Sequence, residues 1–286
     1  MNSKAINIVW LKRDLRSQDH EPLLKAECAG IPYLIIYLFE PSRIEYPDTS
    51  QRHLQFVYHS IGNLDKVLSE FNRRVELFYG EAVEVFNYLI KDFDIISVFS
   101  YQESGTQGSW ERDKKIKQFC KSNQINWKES QRDGILRGIK NRKDWNKKWH
   151  LKMHTPVIQN KFTISKESHL EHPFVMPSIL ESQLKEYPNQ YQPPGEKNAW
   201  RYLKSFTNHR GFNYQRHISK PMESRMSCSR LSPYLAWGNM SIKQVFQFIG
   251  THPNGTRNNK AFSAMLTRLH WHCHFIQKFE MECRYE

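Results

Sequence analysis

The sequence predicts an α/β fold, a doubly wound sheet of five parallel strands, followed by an all-helical second part. Short apolar runs recur in the first 130 residues and are separated by segments with helical periodicity. After Gly195 the pattern is helical throughout. Buried parallel strands read as continuous apolar runs, and their alternation with helices is typical of βαβ units.

The predicted strands are runs of five to seven residues: Ile6 to Leu11, Tyr33 to Phe39, Val75 to Tyr79, Asp94 to Phe99 and Ile125 to Glu129. Helical spacing predicts one helix around Leu54 to Leu68 and another from Ser109 to Lys121. Ligands of such sheets bind beyond the carboxyl ends of the strands. The charged residues there are Lys12, Arg13, Asp14 and Arg16. No G-x-G-x-x-G fingerprint accompanies them, so we interpret these charges as interdomain salt bridges in preference to a ligand site.

Three parts are predicted along the chain: an α/β domain over residues 1–131, a connector over 132–194 and a helical domain over 195–286. Periodicity fades and prolines recur in the connector, and long irregular stretches usually join domains. Trp145 and Trp149 alternate there with lysines and arginines. Such a mixture can stack bases and follow phosphates. The alternative, which we favour, is that the tryptophans anchor the connector and the charges solvate its outer face.

The positive charge of the chain lies in its second part. Residues 1–130 hold 17 Lys and Arg against 18 Asp and Glu, whereas residues 131–286 hold 25 against 11. A basic half predicts a polyanionic partner such as DNA, or else a basic surface without a partner. The five cysteines form no C-x-x-C pair, which argues against a disulfide framework and a zinc ribbon. We expect a reduced, cytoplasmic protein without a membrane span, because no apolar run approaches spanning length.

The segment RMSCSRLSPYLAWGNMSIKQV, residues 225–245, predicts an anion site. Ser229, Arg230 and Ser232 come directly before a helix start, where Ser232 is predicted to cap the helix and Pro233 to fill its first position. Free N–H groups and the positive end of the helix dipole attract phosphate, so these residues can hold a diphosphate. The alternative is two capped core helices, with Arg230 paired to a carboxylate. The signals for the end of this helix and the start of the next are Gly238, Ser241 and Gln244.

The last helix has two different faces. Its apolar stripe comprises Phe262, Met265, Leu266, Leu269, Cys273 and Ile276, and the adjacent aromatic and cationic face comprises Arg268, Trp271, His272 and Phe275. His270 and His274 have a spacing that can bind zinc. There is no glutamate between them and no evident third ligand, so we predict structural histidines and no metal site.

Three segments together resemble the photolyase/cryptochrome family, in the order and spacing of that family. They are VWLKRDLRSQDHEPLL from Val9, SRLSPYLAWG from Ser229 and RLHWHCHF from Arg268. The resemblance covers the N-terminal domain and the beginning of the FAD-binding domain. It implies that FAD is bound by Tyr214, Cys228, Ser229, Arg230, Leu231, Ser232, Met265 and Arg268. It also implies an antenna chromophore of unknown identity in the first domain, near Glu103 and Arg112.

The same resemblance assigns DNA contacts to Arg268, Trp271, His272 and Phe275. Trp271 matches the tryptophan on which repair enzymes stack a flipped pyrimidine dimer; the alternative is an ordinary buried tryptophan. Many photolyases carry an acidic residue at the position of Arg268 and an arginine at that of His272. Arg268 can only donate hydrogen bonds, and His272 is a shorter, titratable donor. A pyrimidine dimer would therefore be recognised here through different hydrogen bonds.

The implied function is light-dependent DNA repair of the deoxyribodipyrimidine photolyase type, in which reduced FAD donates an electron to a pyrimidine dimer in damaged DNA. We expect a monomer. The alternatives are a cryptochrome-type blue-light photoreceptor and a non-catalytic nucleotide-binding remnant. The last helix has no stop signal before Glu286, and the flavin domain of the family continues further. The resemblance thus implies that this chain is a truncated protein with an incomplete FAD domain and that it is inactive in this form.

Overall fold

A computed structural model describes residues 4–166, 169–255 and 259–282. The chain forms two compact units. One comprises Met1–Ser130 and Ile158–Gly195, and the other comprises Gln131–Val157 and Glu196–Glu286. The last helix ends at Met281, and residues 283–286, which entered the argument about a missing stop signal, lie outside the described residues.

The first unit contains the predicted five-stranded parallel sheet. Its strands are β1 (Lys4–Leu11), β2 (Tyr33–Phe39), β3 (Val75–Tyr79), β4 (Phe93–Tyr101) and β5 (Asn126–Ser130). Their order is β3-β2-β1-β4-β5, and every pairing is parallel. The chain leaves β1 toward β2 on one side and returns to β4 on the other, so the switch point lies between β1 and β4. Both the five strands and their parallel arrangement confirm the prediction.

In the described part of the chain, seven α-helices precede residue 195: α1 (Glu21–Cys28), α2 (Pro41–Ile44), α3 (Gln51–Leu68), α4 (Ala82–Asp92), α5 (Gln107–Ser122), α6 (Trp145–His154) and α7 (Ser178–Lys185). Six described α-helices follow it: α8 (Glu196–Asn208), α9 (Tyr214–His217), α10 (Pro221–Ser227), α11 (Ser232–Ala236), α12 (Ile242–Thr251) and α13 (Asn259–Met281). The described residues after Gly195 contain no strand. Their helical character confirms the prediction for the second part.

The core of the α/β unit follows from the period of two along its strands, because successive side chains of a strand point to opposite faces. Ile6, Ile8 and Trp10 of β1 lie on one face and pack with Phe78 and Phe86. Each of these five side chains is at most 1% exposed. The sheet is therefore covered on this face by α4 and α5, whose apolar residues complete the same cluster. This rigid sheet fixes the position of the loops at its carboxyl edge.

Residues 132–194, expected to form a connector, contain α6 and α7 and are divided between the two units. Outside α7, the described residues from Ile158 to Gly195 form no helix, and many of their main-chain groups bond to the rest of the α/β unit. The Asp19 N–H donates to the Ile158 carbonyl at 2.9 Å, and the Tyr79 N–H donates to the Phe174 carbonyl at 2.9 Å. These partners lie far away along the chain, so local sequence patterns do not reveal them.

The helical unit contains the two boundaries that the sequence indicated. Gly238 has φ +70° just after α11, the left-handed conformation that glycine adopts at helix ends. Ser241 and Gln244 form a reciprocal capping box at the start of α12, which confirms that prediction. Among the described helices, none combines the length and apolar character needed to cross a bilayer.

Candidate functional site

Arg210 holds the loop that carries the predicted diphosphate site. This loop joins α10 to α11. The Arg210 guanidinium donates from Nη2 to the carbonyls of Tyr202 at 3.1 Å and Ser229 at 3.2 Å, and from Nη1 to the carbonyl of Cys228. One side chain therefore ties the loop to α8. Sequence reasoning missed Arg210, because nothing in a single sequence marks an arginine that bonds to main-chain carbonyls elsewhere.

The loop reverses at Arg230, whose φ is +58°. A left-handed backbone costs a non-glycine residue about 1 kcal/mol and persists only where the surroundings hold it. Here the Ser229 hydroxyl accepts the Leu231 N–H at 3.4 Å, and the Leu231 side chain is only 1% exposed. Arg230 thus sits between a residue held by Arg210 and a residue buried in the core. Such strained residues concentrate at functional sites.

The predicted capping role of Ser232 is wrong. Leu231 occupies the N-cap position of α11 and its side chain makes no capping hydrogen bond, and Ser232 is the first helical residue. Ser232 already has a helical backbone, so its hydroxyl is not placed like that of a capping residue. The side chain of Ser232 is exposed. Its hydroxyl is therefore not consumed by a cap and can serve a ligand.

Two guanidinium groups approach each other at this loop. Burial lowers the pKa of Arg210, and the positive charge of Arg230 lowers it further. Within the described residues, the opposing effects come from Tyr202 and Cys228, neither of which is a carboxylate. An anion between the two arginines would relieve their mutual repulsion. The charge and the donors of the loop both suit a diphosphate.

Tyr214, Cys228 and Arg268 come together in the folded unit although they are far apart in the sequence. Burial raises the pKa of the Tyr214 hydroxyl to about 12; Cys228 raises it and Arg268 lowers it. The Tyr214 ring is 5% exposed and packs edge-on against Phe206, with 5.5 Å between ring centroids. Met265 is also 5% exposed. Its side chain, like that of Leu231, belongs to the core rather than to an open surface.

Three of the four predicted DNA-contacting residues lie on the outer face of α13. Trp271 is 43% exposed and Phe275 is 62% exposed, so the alternative of an ordinary buried tryptophan is wrong. The exposed Arg268 guanidinium lies 4.4 Å from the centroid of the Trp271 ring. These three residues form an open aromatic and cationic surface.

His272 is turned away from that surface. Burial lowers its pKa; Arg132 lowers it as well, whereas Asp133 opposes both. Its Nδ1 atom is buried without a hydrogen-bond partner in the described part of the chain. The expectation that all four side chains share one face therefore needs correction for His272. Its position on the helix places it against residues 132–133 instead.

The tryptophans of α6 anchor this helix, as we favoured from the sequence. Trp145 and Trp149 are 2% and 1% exposed. The Trp145 indole N–H donates to the Gly134 carbonyl at 3.0 Å, and the Trp149 ring meets Phe246 edge-on at 5.4 Å. Buried rings cannot stack incoming bases. The exposed side chains of this segment include the basic residues Lys140, Arg142, Lys143, Lys147 and Lys148, together with the acidic Asp144.

His270 and His274 pack against the anchored helix. Their ring centroids lie 5.0 and 5.9 Å from that of Trp145. His270 Nε2 is 3.1 Å from the Asn146 side-chain oxygen, and Arg142 Nη1 is 3.1 Å from both ring nitrogens of His274. Among the described residues, no group of three or more His, Cys, Asp or Glu side chains is placed to hold a metal ion. These contacts give both histidines a structural role.

The carboxyl edge of the sheet carries a buried network of ion pairs. Arg112 contacts Glu40 at 2.9 Å, Glu103 at 2.7 Å and Asp113 at 2.8 Å. Lys12 contacts Asp113 at 2.9 Å. Burial by itself raises the pKa of Glu103, but nearby cations, Arg112 first, hold it well below its ordinary value. Glu103 is 3% exposed. In the structure, Glu103 and Arg112 form an ion pair with each other. Their direct contact with an antenna chromophore stays a prediction.

The other charged residues after β1 also find partners inside the α/β unit. Arg13 contacts Glu103 at 3.1 Å, and Arg16 donates to the Asp19 carbonyl at 2.9 Å. Asp14 accepts a hydrogen bond from His20 Nε2 at 2.7 Å. His20 Nδ1 accepts the Leu23 N–H, so the proton lies on Nε2. These contacts lie within one domain, in place of the interdomain salt bridges that we had expected.

Known proteins share both the sequence pattern and the fold. The profile of the family described as DNA photolyase matches residues 7–159. The chain is 24% identical over 101 residues to Cryptochrome DASH of Synechocystis sp. and 26% identical over 108 residues to Cryptochrome DASH of Gloeobacter violaceus. These alignments cover 34% and 36% of this chain, and 21% of each relative.

Solved structures match nearly the whole chain. The archaeal photolyase from Sulfolobus tokodaii, solved with two FAD molecules, matches with a TM-score of 0.70 and 20% identity. A Synechocystis sp. cryptochrome gives 0.75 and 18%, and a class III photolyase from Agrobacterium tumefaciens gives 0.78 and 19%. They cover 97%, 98% and 99% of this chain, which spans 60%, 62% and 60% of theirs. At these identities the structural likeness shows the fold.

The family profile covers more than half of the chain and includes the strands, the basic loop after β1 and the buried ion network. The matched fold continues through the helical unit with the Arg210-held loop. The chain belongs to the DNA photolyase/cryptochrome family.

Proposed function

We propose that this chain carries the diphosphate-binding part of an FAD site in a light-dependent DNA repair flavoprotein. The observation that carries the proposal is the loop held by Arg210, where Arg230 has a left-handed backbone and Ser232 has an exposed hydroxyl. The solved Sulfolobus tokodaii photolyase, which shares the fold, contains two FAD molecules.

The residues of the loop fit a diphosphate. Ser232 offers a hydroxyl donor that no helix cap uses, and Arg230 offers a guanidinium, whose planar fork suits phosphate oxygens. Arg210 adds positive charge while its N–H groups hold the loop carbonyls. Tyr214 and Arg268 border the same region through their electrostatic contact. These residues would bind and orient the cofactor, which when bound supplies light absorption and the transferred electron.

The exposed surface of α13 suits a flipped base. Trp271 offers an open ring face for stacking, which contributes roughly 1–3 kcal/mol per base in nucleic-acid-binding proteins. Phe275 extends that surface, and Arg268 stands over the Trp271 ring. Arg268 can only donate, so it favours carbonyl or phosphate oxygens over the imide N–H groups of a pyrimidine dimer. His272, turned inward, leaves this surface without the second donor that we had assigned to it.

A cryptochrome photoreceptor is the second candidate, and the observation that favours it is the match to two proteins named Cryptochrome DASH. The test is illumination of dimer-containing DNA with the protein reconstituted with reduced FAD, in a form extended to the length of the solved relatives. Repair should be lost in Trp271→Ala and largely kept in Trp271→Phe, which preserves an aromatic face. Flavin photoreduction without any repair would instead support the photoreceptor.

A further inference from the structure

A pocket lies at the amino edge of the parallel sheet, opposite the carboxyl edge that carries the buried ion network. Its volume is about 290 Å³. The lining residues include Tyr33, Asn72, Arg73, Arg74, Ser165 and His169. All of them belong to the α/β unit. The pocket is therefore separate from the flavin loop and from the outer face of α13, which belong to the helical unit.

The pocket forms because β2 begins earlier than β3. The first residue pair of these two strands is Ile35 with Val75, so Tyr33 extends beyond the neighbouring strand. The chain enters β3 after a turn at Asn72, whose φ is +51°. The Asn72 side-chain amide donates to the Ser165 carbonyl at 2.8 Å. The strands thus form the floor of the pocket, and the segment around Ser165 forms one wall.

Arg73 is held in a fixed orientation beside the pocket. Its side chain is 8% exposed, and its Nη2 lies 3.1 Å from Oε1 of Glu27. Nε and Nη2 also donate to the carbonyl and the hydroxyl of Thr163, each at 3.0 Å. The guanidinium carbon lies 4.0 Å from the centroid of the Tyr33 ring, and the Tyr33 hydroxyl donates to Glu27 at 2.5 Å. These contacts fix the plane of the guanidinium.

Arg74 is anchored by a different carboxylate. Its Nε and Nη2 donate to the two oxygens of Glu76 at 3.0 and 2.9 Å, and Nη2 also contacts His169. The bonds of Arg73 and Arg74 to other described residues use Nε and Nη2, which leaves Nη1 of each arginine for a ligand. Each Nη1 carries two N–H donors. Two oriented cationic groups therefore border one pocket.

The charge and the size of the pocket restrict its ligand. The carboxylates of Glu27 and Glu76 balance the two arginines, and Asp65 interacts electrostatically with Arg74. Such a balanced site does not suit a polyanion such as nucleic acid. One phosphate group has enough oxygens to accept from both guanidinium groups, whereas one carboxylate matches a single fork. The volume is near the lower end for ligand pockets, about 300 Å³, which excludes a dinucleotide such as FAD.

We propose that this pocket binds a small phosphate monoester, of about the size of a sugar phosphate, through Nη1 of Arg73 and Arg74. Ser69 and Asn72 also line the pocket and carry side-chain oxygens, which can accept hydrogen bonds from hydroxyl groups of the ligand. Binding requires neither flavin nor DNA. Because Ser165 lies in one wall, the ligand also holds the segment around it against the sheet.

The experiment is isothermal titration calorimetry of the full chain at neutral pH, without flavin or DNA, with ribose 5-phosphate, inorganic phosphate and ribose as probes. Ribose 5-phosphate should bind at one site, inorganic phosphate should compete for that site with lower affinity, and ribose should give no binding heat. Arg74→Gln removes one guanidinium and should weaken binding of ribose 5-phosphate by a factor of about 10 to 150. Arg74→Lys keeps the charge without the fork and should be intermediate.

The matched control is Arg52→Gln, which removes an exposed arginine of α3 and should bind like the parent. Circular dichroism and thermal unfolding check that the variants are folded. A second measurement needs no variant in the pocket. Saturating ribose 5-phosphate should slow amide hydrogen exchange at residues 69–76 and 163–166 of the parent chain and leave α13 unchanged.

A further variant separates this pocket from the proposed flavin loop. Arg230→Ala/Ser232→Ala should bind ribose 5-phosphate like the parent, because both residues lie in the helical unit. The proposal is overturned if ribose 5-phosphate does not bind, if Arg74→Gln binds it like the parent, or if the loop variant loses it. Failure of the proposed flavin site would instead leave all these results unchanged.

Discussion

Removal of Arg210 should release the loop that carries the candidate diphosphate site. In Arg210→Ala the carbonyls of Tyr202, Cys228 and Ser229 lose their charged donor. A hydrogen bond to a charged group contributes about 1.5–3 kcal/mol when it is well buried. Arg210 is half-buried and water can replace part of each bond, so we discount each to about 1 kcal/mol.

Release of the loop also recovers part of this free energy. The left-handed backbone of Arg230 can relax, which returns about 1 kcal/mol. The net loss is therefore about 2 kcal/mol in the free energy of unfolding of the helical unit. Most of this loss should be local, because the guanidinium joins one loop to one helix.

Amide hydrogen exchange measured by mass spectrometry over residues 226–236 gives the most direct readout. Exchange in this segment should accelerate by a factor of about 30, the equivalent of 2 kcal/mol, while β1 of the α/β unit stays protected. Arg216→Ala, which removes an exposed arginine of α9, is the matched control. Arg210→Lys keeps the charge without the planar fork and should be intermediate. If Arg210→Ala exchanges like the control, the loop is held by something else and our account of it is wrong.

Two further predictions test the scaffold. Gly134→Ala should destabilise the helical unit by about 1–3 kcal/mol, because its new Cβ would lie 2.0 Å from Cδ1 of the buried Trp149; thermal unfolding should show this, whereas Gly62→Ala in α3, with nothing within 4 Å, should be neutral or stabilising. Glu103→Gln should cost about 3 kcal/mol near neutral pH, because it leaves the largely buried Arg112 with one charged partner fewer. Because the pKa of Glu103 is lowered in the folded state, its contribution to stability is present above about pH 4.3 and is lost as the pH falls through the lower folded pKa. Stability measured by urea unfolding should therefore fall less steeply toward acid pH in the variant than in the parent. An equal acid dependence would contradict the assigned direction of the pKa shift.

Much of the fold could be predicted from the sequence, because the central strands of its sheet are largely buried and read as apolar runs. Tyr33–Phe39 and Val75–Tyr79 begin and end where these runs do. The segment Ile158–Gly195 was not predictable in the same way. Its conformation depends on hydrogen bonds to distant partners such as Tyr79, and local periodicity does not reveal such partners.

Only the part of the candidate site that is contiguous in the sequence could be predicted. The residues from Cys228 to Ser232 are contiguous, so a motif could mark them. Arg210 reaches the loop through main-chain carbonyls, and carbonyls carry no sequence signature. The positive φ of Arg230 made Leu231 the N-cap residue of α11, which displaced the expected cap at Ser232. His272 turned inward because its place on α13 faces residues 132–133, a packing partner that helical spacing does not reveal.

The relatives of known structure are longer than the part that this chain matches, so the contacts expected from a complete flavin domain exceed those of the Cys228–Ser232 loop. We therefore expect the 286-residue chain to retain little FAD through dialysis and a form extended to the length of those relatives to copurify with it. Stoichiometric flavin on the chain alone would contradict this expectation.

The most direct test of the central claim is the equilibrium affinity of that extended form for FAD, measured by quenching of flavin fluorescence. Arg230→Ala/Ser232→Ala removes a guanidinium and a hydroxyl from the proposed diphosphate contacts, whereas Arg216→Ala/Ser219→Ala removes an exposed guanidinium and an exposed hydroxyl outside the loop and serves as the matched control. The loss of charge-assisted bonds of about 1.5–3 kcal/mol should weaken FAD binding by a factor of about 10 to 150 in the double variant. The control should bind like the parent. Equal affinity of the double variant and the parent would contradict the assignment of this loop to the diphosphate of FAD.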